Sequence, residues 1–185
     1  MSDHNYRRML LAQIKECYGK LLYTYVTHQK QLWLLAFRQN AIKLVQIVLS
    51  SVSTVGFLSI AITNQTTLSV VAGISSVISL ALNLYSREAN LADRIERHRR
   101  TVNKLWTIRQ DYVSLMTDFW GEMPTEVVVQ RRNELQERTD AVYQDSPRTG
   151  KFAYMLASRA LKRDEQAFTT KEIDSLLPPD LRVKL

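Results

Sequence analysis

The fold is decided by residues 44–86, which read LVQIVLSSVSTVGFLSIAITNQTTLSVVAGISSVISLALNLYS. This stretch contains no Asp, Glu, Lys, Arg or His, although the chain carries 25 basic and 18 acidic residues and a formal net charge of +7. A helix needs about 20 mostly apolar residues to cross roughly 30 Å of hydrocarbon. Segments 44–62 and 68–86 each approach that length, and the polar TNQTT at 63–67 separates them. The pattern predicts a two-span helical hairpin in a lipid bilayer.

A soluble all-α bundle with two fully buried helices is the alternative, but two adjacent charge-free segments of spanning length favour the hairpin. The connecting loop has no Lys or Arg, whereas Lys30, Arg38 and Lys43 precede the first span and five arginines follow the second. The positive-inside rule therefore predicts that both termini lie in the cytoplasm. The single cysteine, Cys17, cannot form an intrachain disulfide, which fits a reducing compartment.

Apolar residues at helical spacing continue the hairpin on both sides. We predict one helix from about Tyr6 to about Thr63 and a second from about Thr67 to Trp120, ended by Gly121 and Pro124. The fold class is then an all-α membrane protein, a two-span helical hairpin with long cytoplasmic helical extensions and C-terminal cytoplasmic helices. The spacing on the extensions is typical of a coiled coil, and the sequence leaves open whether they pair within one chain or between chains.

The C-terminal third of the sequence predicts further helices, which can cover the apolar stripes of these extensions. It predicts a charged helix from Thr125, a break at SPRTG, an amphipathic helix at 151–163 and a short last helix begun by the capping pair Thr169 and Glu172. The chain then divides into four regions, which are a cytoplasmic N-terminal helix (1–43), the hairpin (44–86), a continuation of the second helix (87–121) and a C-terminal helical region (122–185).

Polar side chains recur along both spans. On the second span they follow helical steps of three and four and share one face. These positions are candidates for span packing or for lining a pore: Gln46, Ser50, Ser53, Thr54, Ser69, Ser76, Ser79 and Asn83. In the packing interpretation, small residues and hydroxyls let membrane helices approach each other. In the pore interpretation, an assembly of hairpins turns them toward water.

A basic cluster follows the second span. RIERHRR at 94–100 is typical of positive-inside charge and of contact with anionic lipid, and a site for a phosphate-bearing ligand is the rarer reading. The candidate residues for lipid or anionic-ligand contact are Arg87, Arg94, Arg97, Arg99 and Arg100. Trp33 lies close enough to the first span to act as a headgroup anchor.

No catalytic pattern is evident in the sequence. PRTGKF has the end of a phosphate-binding loop, but Asp145 stands where the earlier glycine belongs and Phe152 where Ser or Thr is needed. His4, His28 and His98 are far apart in sequence, with no spacing typical of a metal site. We therefore expect no enzyme activity, no catalytic residues, no cofactor and no metal.

The residues around the hairpin resemble a known family. The resemblance covers roughly residues 10–120 and rests on KLVQIVLSSVSTVGFLSIAI at 43–62, LNLYSREANLADRIERHR at 82–99 and LWTIRQDYVSLMTDF at 105–119. This pattern is similar to the SLATT domain, a two-transmembrane effector module of prokaryotic conflict systems. The most recognisable part of the pattern is the run formed by Leu105, Trp106, Arg109 and Tyr112.

The resemblance implies a function that composition does not. It implies an antiphage effector of the bacterial inner membrane that oligomerises and forms a pore or disrupts the membrane. It also implies a sensor partner encoded nearby, such as a nucleotide second-messenger synthase, a nucleotide-binding protein or a reverse transcriptase, and leaves direct nucleic-acid binding open. The alternative function is a membrane-anchored helical scaffold that tethers a partner protein or enzyme.

Overall fold

The computed structural model describes residues 3–63, 66–119 and 123–163, and within them the chain is helical, with no strand. The helices are α1 (Asp3–Thr63), α2 (Thr66–Glu88), α3 (Leu91–Phe119), α4 (Thr125–Asp145) and α5 (Lys151–Lys162). The predicted all-α class is confirmed, and α1, α4 and α5 begin and end within a few residues of their predicted bounds. Trp120, Gly121 and the predicted last helix at Thr169 and Glu172 lie outside the described residues.

The C-terminal third of α1 packs along α2 and forms the apolar hairpin, described here over residues 44–58 and 67–85. Its outer surface is apolar and exposed, as at Ile47 (64%), Val55 (63%) and Val77 (67%). In the most apolar windows of the two helices that include these spans, only 11% and 17% of residues are buried inside the chain. A soluble bundle would bury such side chains, so this surface is suited to hydrocarbon rather than to water.

The predicted second helix is not continuous, because it breaks at Ala89 and Asn90. Asn90 has φ 42°, a left-handed conformation that Asn adopts more readily than most residues. The Asn90 amide donates to the Arg87 carbonyl at 3.2 Å, and the Arg94 amide donates to the Asn90 carbonyl at 3.1 Å, so one helix ends where the next begins. No Pro or Gly marks this position, which is why helical periodicity alone predicted one helix.

The other end of the molecule is a bundle formed by the N-terminal half of α1 with α3, α4 and α5, called here the distal bundle. Its core contains large aliphatic and aromatic side chains that are almost fully buried, including Ile14, Leu21, Leu105, Tyr112 and Leu115. Helix α5 presents Ala153, Ala157 and Ala160 inward. These small side chains let α5 lie close to α1, so the C-terminal helices cover the apolar stripes as the sequence predicts.

A polar layer separates the distal core from a smaller apolar cluster nearer the hairpin. That cluster contains Leu35, Leu91 and Ile95. Between the two cores lie His28 and His98, which are buried, together with the buried hydroxyls of Thr27 and Thr101. The layer is built by α1 and α3, which are the helices that continue toward the hairpin.

Candidate functional site

The two helices of the hairpin are in close contact at Gly56. A methyl group placed on Gly56 would lie 2.7 Å from the Ala72 Cβ and 3.2 Å from the Leu68 carbonyl oxygen. The 2.7 Å contact is shorter than Cβ atoms tolerate and the 3.2 Å contact is tight, so a side chain at position 56 would require the helices to shift. Small residues at a close helix crossing are typical of membrane hairpins.

One of the predicted polar residues, Ser53, joins the two helices at this crossing. The Ser53 hydroxyl lies 2.9 Å from the Leu49 carbonyl of its own helix and 3.3 Å from the Ala72 carbonyl across the hairpin. The Ser76 hydroxyl donates to the same Ala72 carbonyl at 3.0 Å. The contact with the Ala72 carbonyl places Ser53 in the packing of the two helices, whereas the Ser76 bond lies within α2 and shares that acceptor.

A side-chain hydrogen bond joins the spans near the end that faces the distal bundle. The Gln46 Nε2 donates to the Asn83 Oδ1 at 3.0 Å. Gln46 is half-buried and Asn83 is exposed, so this bond lies at the edge of the helix contact. Pairing the two amides reduces the cost of placing them next to hydrocarbon.

The other members of the predicted polar set differ in their exposure. Ser50 and Thr54 are exposed on α1, and the Thr54 hydroxyl donates to the Ser50 carbonyl at 2.9 Å. Ser69 and Ser79 on α2 are half-buried. The polar residues of α1 therefore do not form a single line, because Ser53 meets α2 while Ser50 and Thr54 point outward.

The basic cluster on α3 is largely paired with acidic residues of the same helix. Arg97 contacts Asp93 at 2.8 Å, and Arg99 and Arg100 contact Glu96 at 3.7 and 3.1 Å. These pairs are exposed and contribute little stability. Arg87 and Arg94 have no carboxylate partner within the described ranges, so they retain an uncompensated charge nearest the hairpin.

Aromatic residues accompany the basic residues on this side of the hairpin. The Trp33 and Phe37 rings stack with centroids 5.8 Å apart, and both side chains are exposed. The Arg38 guanidinium lies 5.3 Å from the centroid of the Tyr85 ring, which links α1 to α2. The sequence indicated Trp33 as an anchor, whereas the contact between Arg38 and Tyr85 depends on how the helices meet.

The structure brings together two histidines that are 70 positions apart in sequence. The Nδ1 atoms of His28 and His98 lie 2.9 Å apart in the buried polar layer, so one imidazole donates and the other accepts. Burial lowers the pKa of His28 to about 4, with a further contribution from His98, and burial together with Arg94 lowers the pKa of His98. Both rings are therefore neutral near pH 7. The signal in the sequence was that each histidine occupies a core position of its helix.

No group of three or more His, Cys, Asp or Glu that could hold a metal occurs among the residues that the structure describes. The paired histidines are thus two potential ligands without a third. Their arrangement fits a hydrogen-bonded core contact.

Comparison with known protein families identifies the family of this chain. The sequence model of the SMODS and SLOG-associating 2TM effector domain, family 4, matches residues 10–172. The chain belongs to the SLATT family. Comparison with curated proteins and with solved structures gives no match.

Family membership agrees with the two apolar helices, and together they make this SLATT protein a two-span membrane protein with an effector domain. The family's description associates it with SMODS and SLOG domains and names no enzyme activity. The match continues to residue 172, whereas the resemblance seen in the sequence covers only residues up to about 120. Helices α4 and α5 are therefore part of the family domain.

Proposed function

We propose that this SLATT protein is an antiphage effector of the bacterial inner membrane, which self-associates through its hairpin and opens a conducting path or disrupts the membrane. The observation that carries the proposal is the outward position of Ser50 and Thr54 on a surface that is mostly apolar. Polar residues within spans generally face a bundle interior or a water-filled cavity. Association of several hairpins through this face of α1 would give these hydroxyls such surroundings.

The trigger would reach the hairpin through the distal bundle. We place both termini and this bundle in the cytoplasm, where a sensor partner of the SMODS or SLOG type would act. The outer face of α5 is a suitable contact surface because it combines exposed Phe152 and Met155 with the basic Arg159. Exposed aromatic residues and arginine are enriched in protein interfaces.

A membrane-anchored scaffold is the second candidate function. It is supported by polar side chains that join the two spans within one chain, namely Ser53 and the pair Gln46 and Asn83. A scaffold needs no association through Ser50 and Thr54. The two functions therefore differ in what that face of α1 does.

A membrane-potential assay in bacteria distinguishes them. Cells would express the chain with its neighbouring genes and be challenged with phage, and a voltage-sensitive dye would report depolarisation. We expect the double variant Ser50→Leu, Thr54→Leu to abolish depolarisation. The matched control is Val48→Leu, Val52→Leu, which adds the same side chain at exposed apolar positions of the same helix.

Depolarisation by the wild type and the control, but not by the serine–threonine variant, supports a conducting path lined at these positions. Equal depolarisation by all three chains would show that Ser50 and Thr54 do not line the path. Absence of depolarisation in triggered wild-type cells would favour the scaffold. Replacement of residues 44–86 by an unrelated two-span hairpin should then preserve function.

A further inference from the structure

An open cleft of about 400 Å³ lies on the side of the distal bundle, where α1 meets the loop between α4 and α5. Its lining residues are Thr24, His28, Tyr143, Ser146, Pro147, Arg148 and Thr149. This volume is within the range of small-molecule sites. The lining contains hydroxyls, an imidazole and a guanidinium, and it contains no carboxylate.

The charge of the cleft is positive. Arg148 is exposed and forms no ion pair within the described part of the chain. Asp145, the acidic residue closest in sequence to the loop, is held by Lys104 at 3.2 Å. The first turn of α5, which follows the loop, has no acidic residue and begins with Lys151. An anion entering the cleft would therefore meet an uncompensated arginine.

The base of the cleft offers a hydrogen-bond donor. His28 is almost fully buried and uses its Nδ1 to contact His98. Its Nε2 has no hydrogen-bond partner within the described ranges. Every fully buried side-chain nitrogen or oxygen there does have one, so the Nε2 is not fully buried. The Nε2 edge of the ring therefore reaches the cleft. When His98 donates its Nδ1–H to His28, the proton of neutral His28 is on Nε2, where it can be donated to a ligand.

We propose that this cleft binds a small solute bearing a phosphate group, through the Arg148 guanidinium, the Thr149 hydroxyl and the Nε2–H of His28. Arginine and neutral donors of this kind match the geometry of phosphate oxygens. A bound anion selects the tautomer in which His98 donates to His28, so it also fixes the contact between α1 and α3. This site is independent of the proposed conducting path, and its test does not use membrane activity.

A lipid headgroup is the other source of phosphate, and the geometry disfavours it. Leu44, where the charge-free span begins, lies sixteen positions after His28 on the continuous helix α1. At about 1.5 Å per residue this is roughly 24 Å along the helix. Headgroups extend only about 5–8 Å from the hydrocarbon on each side. The cleft therefore faces solution rather than the membrane surface.

The test is a titration of the full chain, with ¹⁵N-labelled histidine, in nanodiscs of zwitterionic lipid at pH 7.5. Inorganic phosphate is the probe, and chloride keeps the ionic strength constant. The ¹⁵N shifts of His28, assigned by loss in His28→Gln, report the tautomer. We expect saturable shifts, and we expect Arg148→Gln to weaken the apparent affinity by at least roughly tenfold. Arg159→Gln, which removes an equal charge on α5 away from the cleft, should leave the affinity unchanged.

A response that is linear in phosphate, or that is weakened equally by the two arginine variants, would overturn the proposal. A second arm omits phosphate and uses nanodiscs with anionic lipid. If the same His28 shifts appear there, the source is a headgroup and the assignment to a soluble molecule is wrong. Heteronuclear spectra of Arg148→Gln that match the wild type without phosphate would show that the variant is folded.

Discussion

At the residue scale, Gly56 determines how closely the two spans approach. Gly56→Ala should lower the thermal stability of the hairpin, because the added methyl group meets both the side chain and the backbone of α2. Overpacking of this kind costs about 1–3 kcal/mol. Circular dichroism melting in detergent micelles would measure the loss.

The matched control for this substitution is Gly73→Ala on α2. A methyl group there meets no heavy atom within 4 Å. The control should melt at the wild-type temperature or slightly above it, because Ala favours helix more than Gly does. Equal destabilisation by both substitutions would mean that the helices do not cross at Gly56.

The pair of His28 and His98 predicts how the stability of the protein depends on pH. The pKa of His28 is lowered in the folded chain to about 4 from an ordinary value of 6.5, and the pKa of His98 is lowered as well. The unfolded chain therefore binds more protons than the folded chain at mildly acidic pH. The stability that the neutral pair provides is present above pH 6.5 and is lost as pH falls toward 4.

The checking measurement is the melting temperature of the wild type and of the double variant His28→Gln, His98→Gln at pH 7.5 and pH 5. The wild type should lose clearly more stability on acidification than the variant, which has no buried imidazole to protonate. A parallel loss in both proteins would show that other groups control the acid response.

At the element scale, the break between α2 and α3 depends on one backbone conformation. Asn90→Gly should be tolerated, because glycine adopts positive φ without steric cost. Asn90→Val should lower stability by about 1–2 kcal/mol, or should straighten the helix, because a β-branched residue is disfavoured at φ 42°. Thermal melting measures the first effect, and distances between spin labels at the exposed positions 77 and 107 measure the second. Identical behaviour of the two variants would contradict the role assigned to this turn.

The sequence predicted well where the helices lie along the chain. It did not predict which face of each helix packs against its neighbour. Charge and hydropathy indicated the spans, while Pro124 and the SPRTG segment marked helix ends, because these signals lie within a single segment. Ser53 and Thr54 differ by about 100° around the helix axis, and Ser50 and Thr54 by about 40°. The helical pattern could group these residues, but only the packing of α2 on α1 shows that Ser53 faces inward and the other two outward. For the same reason, the sequence did not predict the contact between His28 and His98.

At the scale of the whole molecule, topology is the prediction that matters most for function. Fluorescent-protein fusions at either terminus should fold and fluoresce, because both termini are expected in the cytoplasm. Alkaline phosphatase inserted after Thr67 should be active, since the connecting loop is expected on the periplasmic side. The reverse pattern would place the distal bundle outside the cell and would exclude a cytoplasmic sensor partner.

The polar layer at His28 and His98 divides the extramembrane helices into two units with separate apolar clusters. The larger unit has the four-helix core, whereas the smaller one depends on the few side chains around Leu35 and Leu91. Regions with few buried apolar contacts open with a lower free energy than the global unfolding reaction. Amide exchange should therefore be faster around residues 30–42 and 89–97 than around residues 14–26 and 105–115. The segment joining the bundle to the membrane could then loosen and re-form while the bundle stays folded, so a change at the membrane would not require the protein to unfold.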